Sequence, residues 1–473
     1  MRVLENINPK DVMFYFEDIC NIPHGSGDTD KISEYCVAFA KEKNLEYIKD
    51  DANNVIIKKP ASTGFEGKSP VILQAHLDMV CEKEPDCNIN FKTDPLEIMI
   101  DGDFITANGT TLGGDDGIGV AMIMAVLADN SLCHPPIEAV FTTDEETGMF
   151  GAAALDGSLL KGRTMMNLDS EAEGVLTVSC AGGARCEIRI PAKKTPLKNP
   201  CYEIIIDGLK GGHSGVEIHK GRHNSNILMG KLLSQIKDEY SIVEISGGSK
   251  DNAIPARSVV KISTAFNLED LIADFENKNR TSEEPELKIS LNKTDDKEYG
   301  FTVEDSLKIT EFLSTVPNGV QKMSEDIDGL VQTSLNLGIL KTEDAGIYLT
   351  FSIRSSVNDE KFELLKTLKA LTEKFGGSFE DSSHYPAWEY KKDSHLREIM
   401  VGEYQKLTEK KPIVEAIHAG LECGLFSDKL PGLDAVSFGP DMEEIHTPNE
   451  RLSISSVERS YLYLCKVLKA LCR

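Results

Sequence analysis

Short apolar runs of strand length recur along this chain, and several of them end on an acid or a histidine. Val71-Ile72-Leu73-Gln74-Ala75 opens as a buried, partly β-branched strand. His76 and Asp78 follow at its far end, two positions apart, so strand geometry predicts that both side chains leave on the same side. Pro136 to Thr143 reads as a strand running into Asp144-Glu145-Glu146-Thr147-Gly148, and Met165-Met166-Asn167-Leu168 as one ending in Asp169. Far downstream, the run from Leu433 to Gly439 leads to Asp441 and His446. Between these strands, Thr111-Leu112-Gly113-Gly114-Asp115-Asp116-Gly117-Ile118-Gly119 precedes an apolar helix over Val120 to Leu127, and one of its two acids is expected to cap that helix. Nearer the start, Val12, Phe14, Ile19, Ile32, Tyr35 and Phe39 recur at helical spacing up to a stop at Asn44, and Asn54 to Ile57 is a short strand.

Strand, helix, strand, strand and a late strand, with polar groups where the strands exit, is the pattern of an α/β sheet whose site lies outside the carboxyl ends. Taken singly, the features have plain alternatives: a satisfied core His-Asp pair, helix caps, or a solvated acidic loop. Their convergence changes the reading. His76, Asp115, Glu146, Asp169 and His446 supply two imidazoles and three carboxylates, too many negative ligands for one tetrahedral zinc. The set suits two divalent metals about 3.5–4 Å apart, each with one histidine and one terminal carboxylate, sharing a bridging carboxylate.

From about residue 186 to 388 the strand-then-acid design gives way to charged, helix-patterned segments such as Leu268 to Phe275, with a Lys/Asn/Glu-rich stretch from Glu276 to Glu298 that reads as exposed surface or an insertion. Because the last strand of the first sheet lies beyond it, this region reads as a second domain inserted into the first: 1–185 with 389–473, and 186–388. Three spots there carry chemistry. Gly211-Gly212-His213-Ser214-Gly215 sets a histidine in a glycine-rich turn, and Asn252-Ala253-Ile254-Pro255 with Arg257 is a polar turn entering a strand. Arg354 lies in the strand pattern Thr350 to Ser355, where a buried arginine needs an anion from protein or substrate. His418 and Glu422 lie one helical turn apart.

Composition narrows the classes. The chain of 473 residues is 40% hydrophobic and 27% charged, with material for two large domains. Its net charge of −26 argues against non-specific binding to nucleic acid or to an anionic membrane. No stretch is long enough to span a bilayer, no secretory leader is expected, and 11 scattered cysteines without a C-x-x-C pair fit reduced thiols in a cytoplasmic protein. Residues 64–69 faintly suggest a phosphate loop, but Ser62 replaces its first glycine and a strand follows, so that reading is rejected.

His76-Leu77-Asp78, Gly114-Asp115-Asp116-Gly117, Asp144-Glu145-Glu146-Thr147-Gly148, Asn167-Leu168-Asp169-Ser170-Glu171 and the late His446 resemble, in order, the motifs of the di-zinc metallopeptidases. Gly208 to Gly215 and Ile417 to Gly424 bring the resemblance closest to the cytosolic aminoacyl-histidine dipeptidases, over nearly the whole chain. It implies a three-layer α/β/α sandwich with a mixed, mostly parallel sheet, interrupted by an α+β lid domain that also makes a homodimer. His76, Asp115 and Asp169 would bind one zinc, and Asp115, Glu146 and His446 the other, although manganese and cobalt suit the same ligands. The residues alone leave open which of Glu145 and Glu146 is the ligand; the family position makes Glu145 the general base for the attacking water and the leaving amine. Asp78 would clamp His76, the peptide between Asp115 and Asp116 would be cis, and His213 would stabilise the oxyanion after lid closure. Arg354 and Asn252 would hold the carboxylate of a dipeptide, with His418 lining the pocket. Around His384-Tyr385-Pro386-Ala387-Trp388 the chain departs from the family's His-Pro-Gly-Trp form, which implies a different substrate pocket. The implied activity is hydrolysis of dipeptides, Xaa-His such as β-Ala-His among them; an aminoacylase, a tripeptidase or a non-catalytic dipeptide-binding relative are the alternatives.

Overall fold

The computed structural model describes residues 2–295 and 297–473, so Asp296, within the charged stretch 276–298, lies outside the described residues. The chain divides into two compact units: Met1–Ser179 with Tyr390–Ala416 and Leu421–Arg473, and Cys180–Glu389 with Ile417–Gly420.

The first unit is built on an eight-stranded sheet ordered Glu46–Lys49, Val55–Lys59, Ile137–Thr142, Val71–His76, Thr164–Asn167, Asp434–Ser437, Val175–Cys180 and Ile413–Ile417. The four strands from Ile137–Thr142 to Asp434–Ser437 run parallel, and antiparallel pairing sets in on either side, giving a mixed sheet. Val71–His76 is buried at every position, as its continuous apolar run requires of a central strand covered on both faces. Gly114–Ala128 packs against it and is buried all round, which explains a helix with almost no polar stripe. Gly119 permits that packing: a Cβ there would lie 2.7 Å from the Leu168 carbonyl oxygen and 2.3 Å from Asp116 Oδ1.

The strand stops at His76 and Asp78 lies in its exit loop, with its carboxylate 3.6 Å from His76 Nδ1, as a same-side pair requires. Two local expectations are corrected. Neither Asp115 nor Asp116 caps the following helix, whose N-cap Gly113 makes no side-chain cap bond. Glu422 starts the helix Glu422–Lys429, whereas His418 precedes it, so the two do not share a helical turn.

The second unit is α+β and carries more sheet than its charged sequence suggests. Its antiparallel sheet runs Lys288–Lys293, Cys201–Asp207, Ser258–Thr264, Tyr240–Gly247, Val331–Glu343, Gly346–Ser355, Gly182–Pro191 and Ser378–Tyr385, with Gly319–Met323 pairing beside Val331–Glu343. The stretch read as an insertion thus supplies an edge strand at Lys288–Lys293. The helices Ser225–Leu233, Glu269–Asn279, Val303–Thr315 and Asn358–Lys374 lay their apolar stripes on the sheet, burying Leu232, Ile272, Phe312 and Leu368 among others. At roughly 1.5–3 kcal/mol per buried side chain, that core supports a unit of this size without help from its charges.

Candidate metal centre

Parallel pairing brings the ends of three neighbouring strands together. His76 is the register partner of Thr142, so the loops after both strands leave side by side. His76 Nε2 lies 3.0 Å from Asp115 Oδ1 and 3.4 Å from Asp169 Oδ1. His446 Nε2 lies 3.1 Å from Asp115 Oδ2 and 3.0 Å from Glu146 Oε1. Asp115 therefore reaches both imidazoles, one with each carboxylate oxygen. Asp115, Glu146 and His446 form one set with ligand atoms within 4.8 Å of one another; His76 forms two more, one with Glu145 and Glu146, one with Asp116 and Asp169.

The electrostatics of this cluster ask for positive charge. Burial disfavours an imidazolium at His76, yet Asp169, Asp115 and Asp78 outweigh it and hold its pKa well above the usual value. Hydrogen bonds to Asp115 and Glu146 lift His446 to about 10. Burial, opposed by His76, leaves Asp169 at about 6, and burial with Asp115 and Asp169 nearby raises Glu171 to about 7. Burial also raises Glu145 well above the carboxylate range, against His76 and with Asp169, Glu422 and Glu146 adding to it. The charged groups that shift these five pKa values are imidazoles and carboxylates, with no lysine or arginine among them. Oxygen and imidazole donors at these separations fit a divalent cation of zinc, manganese or cobalt type.

Asp78 holds this centre in two ways, only one of them through its carboxylate. Its main-chain carbonyl accepts the His76 Nδ1–H at 3.0 Å and so fixes the tautomer that leaves Nε2 free, whereas the carboxylate stands 3.6 Å from Nδ1. That carboxylate accepts instead from Glu145 N at 3.0 Å, Glu146 N at 3.3 Å and Ser26 Oγ at 2.7 Å, pinning the acidic loop. The peptide between Asp115 and Asp116 is cis, and Asp116 Oδ2 accepts the His76 amide at 3.2 Å.

Sequence reasoning missed Glu450. Its buried carboxylate accepts from the backbone N–H groups of Leu112, Gly113, Gly114 and Asp115 at 2.7, 3.1, 2.8 and 3.3 Å. It is the anion at the start of the Gly114–Ala128 helix, supplied from 335 or more residues away. Its only signal was its place four residues after His446. Glu422 was seen, but not its setting: Oε2 accepts from Gln74 Nε2 at 2.6 Å and Thr142 Oγ1 at 2.7 Å, Gln74 Oε1 accepts from Asn167 Nδ2 at 2.6 Å, and Glu422 Oε1 has no partner.

The second unit has a polar cluster of its own. His213 Nδ1 accepts from the amides of Gly215 and Val216 at 3.2 and 3.3 Å, so the neutral ring carries its proton on Nε2. Burial and then Arg354 lower its pKa. Gly212–His213 pairs with Ala253–Ile254, and the Asn252 carbonyl accepts from Ser214 N at 2.9 Å, which sets the exposed Asn252 beside the histidine turn. Burial and Arg354 drive His418 down to about 3; its Nε2 lies 2.7 Å from Ser334 Oγ and its Nδ1 has no partner. Arg354 Nη1 donates to Tyr385 Oη at 3.2 Å, and Arg354 Nε has no partner.

With this geometry in hand, three comparisons bear on the chain. The family model described as Peptidase family M20/M25/M40 matches residues 72–470. The cytosol non-specific dipeptidase of Escherichia coli (strain K12) is 36% identical over 480 residues, covering 99% of each chain. The crystal structure of an aminoacylhistidine dipeptidase from Vibrio alginolyticus superposes with a TM-score of 0.94 at 36% identity, over 99% of this chain and 98% of that one. An aminopeptidase PepT from Bacillus cereus shares the fold at 16% identity and a TM-score of 0.59, over 99% of this chain and 100% of the other.

Proposed function

The chain belongs to peptidase family M20/M25/M40, and from that premise we propose that it is a metal-dependent dipeptidase. The observation that carries this reading is Asp115, whose two oxygens face two imidazoles inside a cluster of carboxylates. Such a set is costly to bury unless cations occupy it. His76, Asp169 and Asp115 would hold one ion, and Asp115, Glu146 and His446 the second. When bound, such ions polarise a carbonyl and bring the pKa of water toward about 7.

The remaining roles fall to the chain's own groups. Glu145, held by its amide on Asp78, takes the proton of the attacking water and returns it to the leaving amine. Burial raises its pKa above the carboxylate range, which favours taking up a proton. His213, with Nε2–H free to donate, is the donor for the developing oxyanion, whichever subunit supplies it. Arg354, Asn252 and His418 receive the carboxylate of the C-terminal residue, with Arg354 supplying the charge. The substrates are dipeptides, Xaa-His such as β-Ala-His included and others besides; the Escherichia coli relative is named a non-specific dipeptidase. We further propose a cytoplasmic homodimer formed through the second unit, without nucleic-acid or membrane partners, as its charge of −26 favours; among the described residues no helix is long and apolar enough to cross a membrane.

Release assays on β-Ala-His, Leu-Gly, a tripeptide and an N-acetyl amino acid, with and without chelator, test the reading. Chelator-sensitive cleavage of the two dipeptides alone is expected. Preference for the N-acetyl amino acid makes the chain an aminoacylase, preference for the tripeptide a tripeptidase, and dipeptide binding without turnover a non-catalytic relative.

A further inference from the structure

The sheet of the second unit sets three residues abreast. Arg354 and Tyr385 are both register partners of Gly183, one on each neighbouring strand. A Cβ on Gly183 would lie 2.4 Å from the Tyr385 ring, so the phenol lies across the bare glycine and reaches the guanidinium. Arginine has donors only, so in the 3.2 Å contact the Tyr385 hydroxyl accepts from Nη1–H, and its own proton must point to another acceptor. Burial raises the phenol's pKa, with Arg354 opposing, and the hydroxyl keeps that proton at neutral pH. Among the described residues the Arg354 contact is the one hydrogen bond seen at this hydroxyl.

The surroundings share this one-sidedness. Arg354 Nε and His418 Nδ1 are buried without partners, and among the described residues no carboxylate pairs with Arg354. Tyr385 is the last residue of the strand Ser378–Tyr385, between His384 and Pro386. We propose that Tyr385 is a specificity-determining residue: it orients Arg354 through Nη1 and donates its own hydroxyl proton to the free carboxylate of the substrate's C-terminal residue. A carboxylate accepts from both groups at once, whereas a C-terminal amide offers one weaker acceptor and places N–H donors against them. The residue thereby selects free dipeptides over blocked or longer peptides. The inference rests on the dipeptidase reading for its substrate, though not for its test.

The experiment compares wild type with Tyr385→Phe in the metal-loaded full chain, on Leu-Gly and on Leu-Gly amide. Losing one hydrogen bond to a charged group should raise KM for Leu-Gly about tenfold. The ratio of kcat/KM for the free acid to that for the amide should shrink by a similar factor. Phenylalanine keeps the ring packing, so a merely structural tyrosine leaves that ratio where it was. Gly183→Ala, which displaces the ring, should produce the same collapse of the ratio. An unchanged ratio in Tyr385→Phe overturns the inference while leaving the dipeptidase reading intact. If wild type turns over no dipeptide, the dipeptidase reading fails, and calorimetric binding of Leu-Gly and its amide decides this point separately. Weaker binding of the acid alone in Tyr385→Phe sustains it; equal binding, or none, overturns it.

Discussion

His76 and His446 in the first unit, and His213 and His418 in the second, are the same side chain held in opposite surroundings. Carboxylates press on the first pair and raise both pKa values, His446 to about 10. Burial and Arg354 press on the second pair and lower both, His418 to about 3. One cluster has an excess of negative charge and the other an excess of donors around a guanidinium. On the reading proposed above, the first would suit a cation and the second a carboxylate.

Substitutions can break or sharpen that contrast. The largest effect is expected from Asp115→Ala, which removes the carboxylate facing both imidazoles: metal analysis after dialysis should find both equivalents lost and turnover at the chelated background. Retention of metal with normal turnover refutes the shared ligand. Glu145→Gln should keep the metal and lower kcat by about 10²–10⁴-fold; a variant that cleaves normally removes Glu145 from the role of base. Glu450→Gln turns an amide N–H₂ toward backbone donors, so the Asp115 loop should loosen and metal affinity, measured by chelator competition, should fall about 10–100-fold. Unchanged affinity would show that the loop holds its shape alone.

The smallest effect concerns Glu422. Burial, opposed first by His76, holds its pKa at about 8 against an ordinary 4.5. Between those values the folded chain binds more protons than the unfolded one, so this group's contribution to stability falls as pH rises from 4.5 to 8. Glutamine keeps both accepted hydrogen bonds and cannot ionise. In metal-free protein, Glu422→Gln should nearly match wild type in urea unfolding near pH 5 and exceed it by about 4 kcal/mol near pH 9. A difference that does not change with pH contradicts the buried titration.

Much of the first unit was legible because its strands are buried on both faces and end abruptly in polar residues. His76, Asp115, Glu146, Asp169 and His446 stood out for that reason, and the structure sets them within 3.0–3.4 Å contacts. What the chain concealed depends on partners far away in sequence. Gln74 looks like an interruption of a strand until Glu422 meets it, 348 residues later. Glu450 looks like a surface acid until four amides converge on it. Strand alternation puts the Asp78 carboxylate on the His76 side, where it stands 3.6 Å from Nδ1, but gives no sign that the main-chain carbonyl accepts the Nδ1 proton. The second unit's strands were obscured by charge: Lys288–Lys293 is an edge strand with one face open to solvent, so its pattern resembles exposed surface.

Glu450 and His446 also set a timetable. Both lie on the loop between Met442–Glu443 and Arg451–Ser453, a hairpin that joins the much earlier Phe104–Ala107 strand. A ribosome must pass residue 450 before the Asp115 loop meets its anchor and the second imidazole arrives. On the proposed reading, a nascent chain or a fragment truncated before this hairpin would be a hydrolase still switched off, with synthesis itself as the safety catch.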